Sequence, residues 1–114
     1  MSDTTQLLYP SLEKLVKQIK AINSAWKVAG DLYGNDSPLS TSSRDLKSCL
    51  QVRLLRLYAP TDVYLAIDNK AEGEPQFGLR LRESVDKYQD ADHIPVRVAN
   101  EILLPEEIKK FSQK

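Results

Sequence analysis

Residues 63–82, VYLAIDNKAEGEPQFGLRLR, decide the fold class of this sequence. Val63 to Ile67 is a short apolar run rich in β-branched and aromatic residues, which favours a buried strand. Apolar and other residues then alternate from position 77 to position 82, with the period of a half-exposed strand. The turn chemistry of residues 70–76 between these runs predicts that they form an antiparallel hairpin.

A long amphipathic helix is predicted over residues 11–32. Its apolar residues share one helical face, and Ser11 or Pro10 is suited to its first turn. Gly30 or Gly34 is suited to end it. The opposite side carries four lysines, Lys14, Lys17, Lys20 and Lys27.

Residues 34–43, GNDSPLSTSS, have the composition of a flexible internal loop. Ser43 is the predicted cap of a second helix over residues 44–58, which Pro60 brings to an end. The apolar side of that helix consists of Leu46, Cys49, Leu50, Leu54 and Leu57. A competing interpretation ends the helix near Cys49 and makes residues 51–58 a strand.

The last third of the chain is less regular. Residues 83–92 are acidic and weakly patterned, and residues 95–98 indicate an edge strand, although a helix also fits the apolar spacing there. Pro105 begins a predicted short C-terminal helix. Residues 1–114 are thus predicted to form one α+β domain, in which two N-terminal helices pack on a small antiparallel sheet and a short helix follows. The alternative is an all-α bundle.

The composition excludes several classes of protein. The 114 residues are 41% hydrophobic and 28% charged, which is typical of a folded domain. With 16 basic and 16 acidic residues the net charge is zero, which disfavours a surface built wholly for nucleic acid or an anionic membrane. One Cys and one His exclude disulfide scaffolds and zinc fingers. No cofactor or metal site is predicted.

The four glycines fit no phosphate-binding motif. The longest apolar run is far shorter than the roughly 20 residues of a membrane span. Residues 1–6 do not resemble a secretory signal. These features predict a cytoplasmic protein that does not insert into a membrane.

Basic residues are the main candidates for binding. Arg80 and Arg82 are two residues apart and therefore share one sheet face, and arginine is the preferred donor to carboxylates and phosphates. If the hairpin packs beside the second helix, Arg53 and Arg56 could converge on them. Lysines of the first helix form the other candidate surface: Lys14, Lys17 and Lys20. In the simpler interpretation these charges only keep exposed faces soluble.

Acidic residues and the single histidine are the candidates for catalysis. His93 lies beside Asp92 and near Asp90, but adjacent side chains diverge in an extended segment. Asp62 and Asp68 bracket the first predicted strand, where turn-forming residues are also common. No nucleophile motif accompanies them. Catalysis by Asp62, Asp68 or His93 is therefore the least favoured hypothesis.

The leading functional hypothesis is a small, non-catalytic interaction or regulatory protein that docks to a macromolecule through these basic groups. Residues 1–60 carry 8 basic and 5 acidic side chains, whereas residues 61–114 carry 8 basic and 11 acidic ones. The two halves therefore have opposite net charges, +3 and −3. Another protein is the expected partner. Nucleic-acid binding is the alternative, and an enzyme of unrecognised class is a further one.

Overall fold

The computed structural model describes residues 10–68 and 73–114, and these form an α+β fold. The element bounds, in chain order, are α1 (Leu12–Tyr33), α2 (Pro38–Tyr58), β1 (Val63–Asp68), β2 (Gln76–Val85), β3 (Tyr88–Pro95), α3 (Val96–Ile102) and α4 (Pro105–Phe111). The predicted arrangement of two N-terminal helices, an antiparallel sheet and a C-terminal helix is confirmed.

The three strands form one antiparallel sheet in the order β1-β2-β3. The predicted hairpin of β1 and β2 is confirmed, with Leu65 opposite Leu79. The third strand was predicted at residues 95–98, but β3 occupies Tyr88–Pro95 and residues 96–102 are helical. The reason is that residues 90–95 pair with residues 76–80 of β2, while Val85 at the end of β2 pairs with Tyr88. Pro95 cannot donate to a ladder, and β3 ends there.

Local signals at the ends of α1 were correctly interpreted. The hydroxyl of Ser11 accepts a hydrogen bond from the backbone N–H of Lys14 at 3.1 Å, which caps the helix. Gly34 follows the last residue of the helix with φ of 89°, a conformation that favours glycine. Of the two glycines suited to end the helix, Gly34 does so and Gly30 lies within it.

The second helix begins earlier than predicted. Residues 38–43, predicted as part of a loop, form its first turns. Ser37, not Ser43, is the cap, since its hydroxyl accepts from the N–H of Ser40 at 3.1 Å. Pro38 occupies the first helical position, where its missing N–H costs nothing. A Ser-Pro pair starts a helix as readily as it starts a turn, so composition alone was misleading.

The buried side of α2 also differs from the predicted side. Leu46 and Cys49 are exposed, whereas Ser48 and Gln51 are buried. The helix continues to Tyr58, so the alternative strand at residues 51–58 is excluded. Because α2 contacts both α1 and the sheet, its buried side is set by two neighbours rather than by its own apolar stripe.

The helices cover the face of the sheet that carries Phe77 and Leu79. The largest apolar members of this core without solvent exposure are Leu15, Ile19, Leu54, Leu55, Leu79 and Ile94. The polar side chains of Gln51 and Ser40 are also fully buried. The predicted C-terminal helix is confirmed, with Pro105 at its start and the Glu107 carboxylate accepting from the Leu104 N–H at 3.0 Å. Within the described ranges, no helix combines the length and the apolar character that crossing a membrane requires.

Candidate functional site

The four arginines singled out from the sequence have different surroundings. Arg80 and Arg82 are exposed on β2, and Arg53 and Arg56 are exposed on α2. The guanidinium of Arg82 donates to the carbonyls of Pro60 at 2.6 Å and Gln113 at 2.7 Å, and it lies 4.7 Å from the ring centre of Tyr64. Arg82 therefore ties the sheet to the C-terminus and has fewer donors left for a partner.

Arg56 is likewise engaged within the molecule. Its guanidinium donates to both carboxylate oxygens of Glu107 on α4, at 2.9 and 3.2 Å. This bidentate geometry gives the pair directional specificity. Arg56 thus joins α2 to α4, and the predicted binding surface of four arginines remains a prediction.

The lysine side of α1 is not uniformly solvated. Lys14 and Lys17 are exposed, and Lys17 pairs with Glu13 one turn earlier at 2.8 Å. Lys20 is instead half-buried and contacts Asp90 at 2.8 Å and Asp92 at 2.7 Å. Burial alone would lower the pKa of Lys20. The hydrogen bonds and charges of these two carboxylates outweigh that effect, so the pKa lies above its ordinary value. Lys20 thus holds α1 against the edge of the sheet.

The outer edge of β3 is covered by a buried polar side chain that the sequence analysis did not identify. The Gln51 amide donates to the carbonyls of Ala91 at 2.9 Å and His93 at 3.1 Å. Exposed strand edges invite pairing with other chains, and a covering side chain prevents it. Gln51 therefore satisfies two edge carbonyls and orients α2 on the sheet.

The structure brings His93 together with Asp68. His93 Nε2 lies 3.1 Å from Asp68 Oδ2, across the middle strand. Asp92 contacts Lys20 instead, and its φ of 63° is not that of the extended residue assumed from the sequence. Asp62 precedes the opposite end of β1 from Asp68. A carboxylate can hold one tautomer of an imidazole and thereby support proton transfer at the other ring nitrogen.

A cleft of about 750 Å³ opens between the α1–α2 pair and the segment formed by β3 and α3. Trp26 on α1 is half-buried and lines this cleft with His93. Lys47 lines it too and is only 9% exposed. Burial lowers the pKa of Lys47, and the Asp92 carboxylate opposes this effect only in part. The ammonium lies 5.2 Å from the ring centre of Trp26.

A second apolar stripe follows the outer side of α1. Ala21, Ala25, Val28 and Leu32, here named the exposed seam, are all exposed, and Val28 and Leu32 are 55% and 67% exposed. Their spacings of four, three and four residues are those of a coiled-coil seam. Tyr33 and Leu39 extend this apolar surface at the end of the helical hairpin, where a groove of about 430 Å³ lies.

Sequence reasoning missed the exposed seam and the cleft for different reasons. The seam has a visible signal, since its four residues repeat at helical spacing on the side opposite the predicted core. Lys47 has no such signal. Its burial depends on the rotation of α2 about its axis, which only the packing of α2 against α1 and the sheet determines.

No protein-family model matches the chain, and searches against curated proteins and solved structures find no match either. In residues 10–68 and 73–114, no three side chains of His, Cys, Asp or Glu are grouped so that they could hold a metal ion.

Proposed function

We propose that this chain is a non-catalytic interaction protein that docks to another protein molecule through the exposed seam. The observation that carries the proposal is the exposure of Val28 and Leu32 on the same helical stripe. Contiguous exposed apolar surface on a small domain is typical of an interaction site. The seam spans about 16 Å of helix, roughly three turns. Its heptad spacing suits a second α-helix better than an extended peptide.

The occupant that fits the exposed seam is the same helix of a second copy, in antiparallel orientation. A two-fold axis between residues 26 and 27 places Leu32 opposite Ala21 of the other copy, and Val28 opposite Ala25. Each layer then combines a large side chain with a small one, which allows close packing of the two helices. The symmetry repeats each contact twice.

The charges flanking the exposed seam favour the same orientation. Lys14 precedes the seam, as do Glu13 and Lys17, which pair with each other, whereas Asp31 and Asp36 lie at its C-terminal end. An antiparallel pair brings the basic end of each helix to the acidic end of the other, and such complementarity fixes register. The net charge of zero means that two copies do not repel each other.

The exposed seam supports docking better than the basic groups do. Arg56, Arg82, Lys17 and Lys20 all make ion pairs or hydrogen bonds within the molecule. A partner that recruited these side chains would have to replace those contacts. Val28 and Leu32, in contrast, already have their apolar surface in water, and covering it lowers the free energy.

Analytical ultracentrifugation of the purified chain, from micromolar to millimolar concentration, tests the proposal. We expect a concentration-dependent dimer that Val28→Glu abolishes, because each dimer would bury two unpaired carboxylates. Ile67→Glu on β1 is the matched control, since Ile67 is also β-branched and is 54% exposed. A chain that stays monomeric throughout, or that responds equally to both variants, would overturn the proposal.

A further inference from the structure

The cleft between the helical hairpin and the β3–α3 segment has the dimensions of a ligand site. Its volume of about 750 Å³ lies within the usual range for small-molecule pockets. Apolar side chains occur on both walls, with Trp26 on α1 and Pro95, Val98 and Ile102 at the β3–α3 side. Most of the other lining residues are charged or polar, so the cleft combines these apolar side chains with a largely polar wall.

Lys47 is the unusual member of the cleft. Its side chain is 9% exposed, yet in the described part of the chain its ammonium makes neither a hydrogen bond nor an ion pair. The Trp26 ring centre lies 5.2 Å from the ammonium, and the charge of the Asp92 carboxylate also acts on Lys47. Buried lysines are rare unless they are paired, because an unpaired buried charge is costly. Three N–H donors of Lys47 are therefore available to a group that enters the cleft.

Four acidic residues line the cleft, and three of them, Glu74, Asp92 and Glu101, contact a cation other than Lys47. Asp92 Oδ1 contacts Lys20 at 2.7 Å, and Glu74 contacts Arg97 at 3.2 Å. The second carboxylate oxygen of Asp92 is buried and has no hydrogen-bond partner among the described residues. The helical wall also carries the cations Lys27 and Arg44 and the carboxylate of Asp45. No carboxylate of the described residues forms an ion pair with Lys47, although the charge of Asp92 acts on it.

We propose that the cleft binds a small molecule in which an oxyanion, either carboxylate or phosphate, is attached to an apolar body. The Lys47 ammonium donates to the oxyanion, and charge-assisted hydrogen bonds of this kind are among the strongest in proteins. The apolar body contacts Trp26, Pro95 and Val98. This binding does not depend on the exposed seam, which includes neither Lys47 nor the β3–α3 wall.

Fluorescence titration of the full chain tests the proposal directly, because Trp26 is its single tryptophan. Four probes separate the contributions: phenylacetate and phenyl phosphate carry both parts, acetate lacks the ring, and benzyl alcohol lacks the charge. We expect a saturable change in Trp26 emission with at least one of the first two, and weaker binding of acetate and benzyl alcohol. Binding of benzyl alcohol as tight as that of both anions would overturn the role of the oxyanion.

A charge-removing substitution identifies the cation. Lys47→Met keeps the length and most of the volume of the side chain, and we expect it to weaken binding of the preferred anion at least about tenfold. Lys109→Met is the matched control on α4, where Lys109 is exposed and outside the cleft. Circular dichroism establishes that both variants are folded. Equal affinity of Lys47→Met and wild type, or no binding of either anion by the wild type, would overturn the proposal.

Discussion

His93 on β3 contacts Asp68 on β1 across the middle strand, with 3.1 Å between Nε2 and Oδ2. The contact passes over Gly78, which pairs with Ala66 on one side and with His93 on the other. A Cβ atom at Gly78 would lie 3.5 Å from the imidazole ring, which is an ordinary van der Waals contact. A methyl group therefore fits below the imidazole, and we expect a longer side chain to displace the ring.

Substitutions of Gly78 by a small and by a large residue should therefore affect the His93–Asp68 contact differently. Gly78→Ala should keep the His93–Asp68 contact, with a change in unfolding free energy within about 1 kcal/mol. Gly78→Leu should displace the imidazole and reproduce the ring chemical shifts that Asp68→Asn gives in NMR spectra. Wild-type ring shifts in Gly78→Leu would show that the glycine is not what allows the contact.

Arg80 and Arg82 should differ in their contribution to stability although they are two residues apart. Arg82→Ala removes hydrogen bonds to two carbonyls and the contact with Tyr64, and should lower the unfolding free energy by about 1–2 kcal/mol. Arg80 is exposed, and Arg80→Ala should change the unfolding free energy by less than about 0.5 kcal/mol. Urea denaturation measures both. Equal destabilisation would contradict the structural role of Arg82.

Gln51 should be the most sensitive polar residue of α2. Gln51→Leu leaves the buried carbonyl of Ala91 without its donor and also removes the donor to His93, so we expect a loss of about 2–4 kcal/mol. Gln18→Leu on the exposed side of α1 is the control and should stay within about 0.5 kcal/mol. A loss no greater than that of the control would rule out the edge-covering role.

Asp90 should make stability depend on acid pH. Burial raises the pKa of Asp90, but the hydrogen bonds from Lys20 and the Asp92 N–H outweigh it and leave the pKa below its ordinary value. A carboxylate with a lowered folded-state pKa stabilises the protein above its unfolded pKa, and this stabilisation is lost as pH falls through the folded pKa. Thermal unfolding measured between about pH 5 and pH 2 should therefore show that wild type loses stability more steeply with falling pH than Asp90→Asn does.

The size of this pH effect should be small, below about 1 kcal/mol, since the Asp90 side chain is 45% exposed. Asp31→Asn, at an exposed position on α1, is the control and should follow the wild-type profile. If Asp90→Asn also follows it, the Lys20–Asp90 contact does not contribute to stability in solution.

The register of the proposed dimer can be tested by exchanging a large and a small residue. Ala21→Leu should weaken dimerisation by placing two leucines opposite each other, and Leu32→Ala should weaken it by leaving a gap. Each single substitution should make the free energy of dimerisation less favourable by at least about 1 kcal/mol. The double variant restores one large and one small side chain in each layer. Sedimentation measurements should show that it recovers most of the dimer affinity. A double variant weaker than both single variants would exclude this register.

Sequence patterns predicted the parts of the fold that local physics determines. The strand period of residues 77–82, the cap at Ser11 and the start of α4 at Pro105 all depend on neighbours in the chain. β3 was misplaced because residues 90–95 pair with residues 76–80 of β2, and the weak pattern of residues 83–92 does not indicate this pairing. Pairing then overrides the weak local preference of residues 88–92.

The sequence by itself determined that β1 and β2 form a hairpin, that α1 is amphipathic and that an α+β domain results, because the alternation and spacing of side chains carry that information. Only the tertiary structure decided which side of α2 is buried. Gln51 must reach the carbonyls of β3, and this rotation exposes Cys49 and places Lys47 in the cleft beside Trp26. Hydrogen bonds between distant segments have no periodicity along the chain, so no local pattern encodes them.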